Sequence, residues 1–174
     1  MTAQPTDNMR AIVEAFRVYV EDSTAGDDRY GPPSRCDRPD GSMLASRFDV
    51  GEGWCLEVAI LPAASAVRVG FATGDPAKAE ELRECVEESG LTPSQFVEMG
   101  FREAGLGWSE PPVEQAQDGD GSRCFAVSFT LEDLGDLDLS DVRDKTVRML
   151  EGLLIAFGPS VVIEETDEED EVDD

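Results

Sequence analysis

The chain has 174 residues, with 39 acids against 14 bases and no histidine, for a formal charge of −25. The lack of imidazole excludes histidine metal sites and Ser-His-Asp or Cys-His catalysis. So acidic a surface also repels nucleic-acid phosphates and anionic membranes.

The length fits one domain over residues 1–163, large enough to bury its own core. Residues 164–174 (EETDEEDEVDD) hold nine acids in eleven and read as a disordered acidic tail. No apolar run approaches the ~18 residues of a membrane span. The N-terminal MTAQPTDNMR has neither the basic region nor the apolar core of a signal peptide. A soluble, cytoplasmic protein is therefore expected.

Met9, Ile12, Val13, Phe16 and Tyr19 recur at helical steps and predict a helix over 9–20. Thr6 or Asp7 can cap it. Residues 22–42 are rich in Asp, Gly, Pro and Ser and read as a long loop. Three alternating segments follow. Leu44, Phe48 and Val50 share one side of the first; Trp54, Leu56, Val58 and Ile60 share one side of the second; Val67, Val69 and Phe71 share one side of the third. Side chains alternate across a strand, so these are three half-buried strands, and their short links predict an antiparallel meander. The opposite face carries Arg47, Asp49, Glu57 and Arg68, which can pair across strands on a solvated surface.

Asp75 and Pro76 open a helix as cap and first residue, and Gly90 can close it. Thr92-Pro93-Ser94-Gln95 has the form of a capping box for a second helix. Gly100 weakens that helix, so residues 101–108 read equally as its continuation or as a further strand. Residues 109–122 read as a loop; its D-G-D-G run lacks the remaining ligands of a calcium site. Residues 124–131 alternate again, with Phe125, Val127, Phe129 and Leu131 on one side. After an acidic connector at 132–139, Val142, Thr146, Met149, Leu150, Leu153, Leu154 and Phe157 mark a last helix, which Gly158-Pro159 should stop.

These elements predict an α+β fold. An antiparallel sheet, the meander plus one or two strands, packs its apolar face against the N- and C-terminal amphipathic helices. Cys55, Cys85 and Cys124 fall within apolar patterns and read as small buried hydrophobes. Cys36, beside Arg35 and Arg38, is the one thiol with a setting for reactivity. No glycine-rich phosphate loop and no catalytic, cofactor or metal constellation can be read from the residues.

The order helix, three-strand meander, helical segment, strand, long closing helix resembles the type III secretion chaperone-like fold, including the YbjN-domain family. The segment CFAVSFTLEDLGDLDLSDVRDKTVRMLEGLLIAFGP carries the resemblance best. It implies a small, acidic, non-enzymatic homodimer that binds a segment of another protein, with chaperone- or adaptor-like function and no small-molecule substrate. Phe96, Phe101 and Trp108 gather aromatics among polar neighbours and are the candidate partner-binding residues. The acidity admits three explanations: a high-salt cytoplasm, ordinary solubility, or mimicry of nucleic acid to inhibit a basic protein. The last is the alternative function.

Overall fold

The computed structural model describes residues 7–117 and 123–170, the stretch 159–170 by its backbone path alone. Its elements are α1 (Asp7–Ser23), β1 (Pro33–Arg35), β2 (Leu44–Gly51), β3 (Trp54–Leu61), β4 (Ala66–Thr73), α2 (Pro76–Glu88), α3 (Pro93–Glu103), β5 (Val113–Gln117), β6 (Arg123–Thr130) and α4 (Ser140–Asp170). The strands form one antiparallel sheet in the order β1-β2-β3-β4-β6-β5.

Turn chemistry sets the meander's register. Between β2 and β3, Glu52 (φ 56°) and Gly53 (φ 81°) take the left-handed conformation that a two-residue hairpin demands. Between β3 and β4, a short 3-10 turn at Pro62–Ala64 ends on Ser65, also left-handed. The resulting register lines up the apolar alternates in rows. Phe48, Leu56, Phe71 and Phe125 are successive cross-strand partners, as are Val58, Val69 and Val127. The α+β architecture and the four strands read from the sequence are thus present.

Among the described residues, helical cover lies on one face of this sheet. Phe16 and Val20 of α1, Leu82 and Val86 of α2, Val97 and Phe101 of α3, and Met149, Leu150, Leu153 and Phe157 of α4 form a single core with those rows. Phe157 is its hub, with its ring 5.5 Å from Phe71, 5.4 Å from Phe96 and 5.3 Å from Phe125. The caps work as their sequences suggest. Asp75 accepts from the Ala77 amide at 2.9 Å, and Thr92 and Gln95 close a reciprocal capping box. Arg17, although on the buried side of α1, donates to both carboxylate oxygens of Asp37 and to the Ala45 carbonyl, fastening the helix to β2.

Several expectations are corrected. The 22–42 and 109–122 segments each supply a strand, β1 and β5, so the sheet has six strands. Residues 101–108 form no strand: α3 runs through Gly100 to Glu103. Gly100 is tolerated because its missing Cβ lets α3 meet α4 at Gly152. The acidic connector folds into a 3-10 helix at Leu134–Asp138. Pro159 does not stop α4, whose backbone stays helical to Asp170; a proline removes one donor at a cost of ~3 kcal/mol but leaves the helical path open. Residues 171–174 of the acidic tail, the D-G-D-G run and the Thr6 cap lie outside the described residues. No helix among the described residues is long and apolar enough to cross a membrane.

Candidate binding face

The second face of the sheet is built from the alternates the helices do not touch. At its centre Glu57 of β3 lies between Arg47 of β2 and Arg68 of β4. Arg47 Nε donates to Glu57 Oε2 at 2.7 Å and Arg68 Nη2 to Oε1 at 3.2 Å. Arg68 Nη2 also reaches the Met43 sulfur at 3.5 Å, so its side chain spans β3 and β2. Glu57 is only 2% exposed. Burial works against the Arg47 charge, but the Glu57 hydrogen bond and field outweigh it and hold the guanidinium above its ordinary value. The expected cross-strand pairing holds for Arg47, Glu57 and Arg68, in a buried rather than a solvated setting, whereas Asp49 stays exposed and accepts from the Gly51 amide.

Around this triad the face is made of small residues. Ala45, Ala59 and Met43 form one cluster, with Cys36 and Leu61 half-buried beside them. Ala72, Cys124 and Ala126 form another, edged by Cys55 and Ala116. No residue of the four helices belongs to either cluster among the described residues. Gly70 sits between them, paired in regular register with Glu57 and Ala126. Its missing side chain leaves room for the Ala126 and Cys124 side chains of β6, 3.4 and 3.6 Å from where a Cβ would stand.

The cysteines are redistributed relative to expectation. Burial pushes the Cys55 thiol up to about 11, which suppresses its thiolate. Cys85 is exposed on α2 rather than buried. Cys36 packs into the alanine cluster, and the Arg35 guanidinium expected to activate it is engaged with Glu14 and Glu21.

The three aromatic candidates turn inward. Phe101 is fully buried, so it offers no surface to a partner in this conformation. Phe96 is half-buried against Phe157, and Trp108 is half-buried, stacked on Phe101 at 6.1 Å. Lys145 sits 4.1 Å from the Trp108 ring centroid and 4.6 Å from that of Phe129. Burial lowers its pKa, while the two ring faces attract the cation. What stays exposed in this segment is Met99, not the aromatics.

A cavity of about 200 Å³ lies at the open end of the sheet, beside α2, lined by Trp54, Ala79, Arg83, Gln115, Cys124 and Phe125. That is below the ~300 Å³ at which drug-sized ligand pockets begin. No group of three metal-ligating side chains occurs among the described residues. The fold and this face define a two-layer α+β protein with helices on one side of its sheet and a small-residue, arginine-centred surface on the other. No family model, curated protein or solved structure matches the chain.

Proposed function

We propose that this chain is a protein-binding adaptor, chaperone-like in class and homodimeric, that holds polypeptide on the second face of its sheet. The observation that carries the reading is that face: alanine, glycine and cysteine around a buried Arg–Glu–Arg triad, with Asp49 and Glu114 on outer strands and no helix residue from positions 7–158 in its two small-residue clusters. Its four eight-residue strands, at ~4.8 Å spacing and ~3.3 Å per residue, give it roughly 500 Å² of plan area. A standard interface takes ~800 Å² of accessible surface per partner, so the face is of the right order. Small side chains let a helix or strand approach closely, and the triad supplies a polar register mark.

Two measurements test this. Light scattering in low and high salt should give twice the chain's 18.9 kDa; a monomer in both conditions refutes the dimer. Affinity capture should be repeated with Ser128→Arg, which places a long charge on the same face, and with a chain lacking 164–174. Partners lost with Ser128→Arg but kept by the truncated chain support the reading. Partners lost only with the acidic segment refute it in favour of charge mimicry.

A further inference from the structure

The passage from β4 into α2 leaves a gap at one end of the sheet. Trp54, Thr73, Arg123 and Gln117 are successive cross-strand partners in the last row of β3, β4, β6 and β5. Helix α2 starts just beyond that row, where Thr73 Oγ1 accepts from the Asp75 amide at 3.2 Å. Ala79 and Arg83 lie one turn apart on the same side of α2 and border the space over the row. An alanine is too small to fill it, and the arginine is drawn to Glu80 and Glu87. Strand β5 contributes Gln115 and Gln117 there in place of large apolar side chains. The result is the cavity of about 200 Å³ beside α2.

Two donors at its wall lack partners. Trp54 is 5% exposed, and its indole N–H donates to no described residue. A tryptophan this buried ordinarily satisfies its N–H. Among the described residues, Arg17 Nε is the one wholly buried side-chain nitrogen or oxygen left unpaired. The Trp54 nitrogen is therefore not sealed off, and the space that Trp54 borders is this cavity. The second donor is Arg123, which is exposed and whose guanidinium has no hydrogen bond or ion pair among the described residues. Arg83 by its hydrogen bond, and Arg123 more weakly by its field, hold the Glu80 carboxyl below its ordinary value. The two guanidiniums thus approach the cavity from α2 and from β6. Two guanidiniums to one carboxylate is a cationic excess in a chain whose formal charge is −25.

We infer that this cavity binds a small organic carboxylate with an apolar body of about one aromatic ring. The carboxylate accepts from Arg123 and from the Trp54 N–H, and the ring rests on Phe125 and Ala79. Size agrees, since an apolar cavity of ~150 Å³ holds benzene and the remaining space takes the carboxylate arm. The donor surplus selects the charge. A neutral ligand would leave Arg123 unpaired, and a cation would meet two guanidiniums. Gln115 and Gln117 carry amides that both donate and accept, so they can follow either carboxylate oxygen. The assignment does not depend on polypeptide binding at the second face of the sheet.

NMR of the full chain tests it. The chain has two tryptophans and therefore two indole N–H signals, that of Trp54 being the one that survives Trp108→Phe. Phenylacetate, titrated in ~0.5 M KCl to screen the net charge, should move the Trp54 signal saturably, with a Kd on the order of 1 mM or tighter, and leave the Trp108 signal in place. Phenylacetamide has the same shape without the charge and should bind at least about tenfold more weakly. Arg123→Gln should bring phenylacetate down to the level of the amide without changing the affinity of the amide itself. Arg10→Gln, which removes the same charge from the exposed side of α1, should change neither. Ala79→Leu, which fills the cavity from α2, should abolish binding of both compounds. No saturable shift by ~10 mM, equal affinity for acid and amide, or binding that survives Ala79→Leu in a chain that melts like the parent overturns the inference. If that variant does not fold, the Arg123→Gln comparison decides alone.

Discussion

Replacing Gly100 with alanine sets helix propensity against packing, and the structure decides the sign. In an isolated helix the change gains ~0.8–1.0 kcal/mol. Here the new Cβ would lie 2.8 Å from Ala156 Cβ and 3.0 Å from the Ala156 nitrogen, and closer still to the Gly152 carbonyl oxygen. Carbon atoms prefer ~3.5–4.0 Å, and two of those three neighbours are backbone, which cannot rotate away. The helices must part by about 1 Å, against an overpacking cost of ~1–3 kcal/mol. Because the close neighbours include backbone, the cost falls in the upper part of that range, ~2–3 kcal/mol, and the net expectation is a loss of ~1–2 kcal/mol, read as a fall in Tm of roughly 2–8 °C at ~2–4 °C per kcal/mol for a chain of this size. Gly107→Ala is the matched control, because nothing lies within 4 Å of the added carbon; it should be neutral or stabilising by up to ~1 kcal/mol. Thermal and urea melts of the two variants and the parent suffice. A Gly100→Ala chain as stable as the parent would show that the α3–α4 crossing is looser than drawn and that the reasoning fails.

Glu57→Ala removes the buried carboxylate that Arg47 and Arg68 share and should cost ~3–5 kcal/mol in urea melts, most of it regained when Arg47, Glu57 and Arg68 are all replaced by methionine; a loss below ~1 kcal/mol would make the triad a surface feature. Phe157→Ala removes the ring on which Phe71, Phe96 and Phe125 converge and should cost ~3–5 kcal/mol, checked by the same melts. The carboxyls of Glu14 and Glu21 beside Arg35, and of Asp37 beside Arg17, are held below their ordinary values by those guanidiniums. The unfolded chain therefore binds protons more readily, and stability present at neutral pH should fall away as pH drops below ~4. Urea midpoints across that range in ~0.5 M KCl, where repulsion is screened, measure this, and equal midpoints at both ends contradict it. The surplus of acids predicts a higher Tm in ~2 M than in ~0.05 M KCl; equal values would mean the carboxylates are too widely spaced to repel.

The elements legible in the sequence are those whose own side chains specify them. Strands β2, β3, β4 and β6 alternate because one face is buried by helices, and α2 and α3 announce themselves through Asp75-Pro76 and the Thr92–Gln95 box. The edge strands carry no such mark. Pro33–Arg35 is exposed along its whole length, and Val113–Gln117 follows two prolines with little apolar content. Their pairing is dictated by the neighbours they meet rather than by their own pattern. The second face reads as solvated from sequence because Arg47, Glu57 and Arg68 dominate a reading by charge. A signal was nevertheless present in the residues between them: Ala45, Cys55, Ala59, Gly70, Ala72, Cys124 and Ala126 are all small, and none is charged. The aromatics of 96–108 read as a partner surface because their spacing is visible in the sequence, whereas the stacking of Phe96 on the distant Phe157 and of Phe101 on Trp108 is not.

The placement of α4 has a consequence for synthesis. The sheet is complete in sequence at Thr130, but the side chains that close its core arrive with Met149, Leu150, Leu153 and Phe157. Until those residues leave the ribosome, Phe71, Val69, Phe125 and Val127 have only the side chains of α1, α2 and α3 over them. The nascent chain is at its stickiest between the emergence of Thr130 and that of Phe157, and a premature stop in the 130s would leave a sheet without the cover of α4, prone to aggregation.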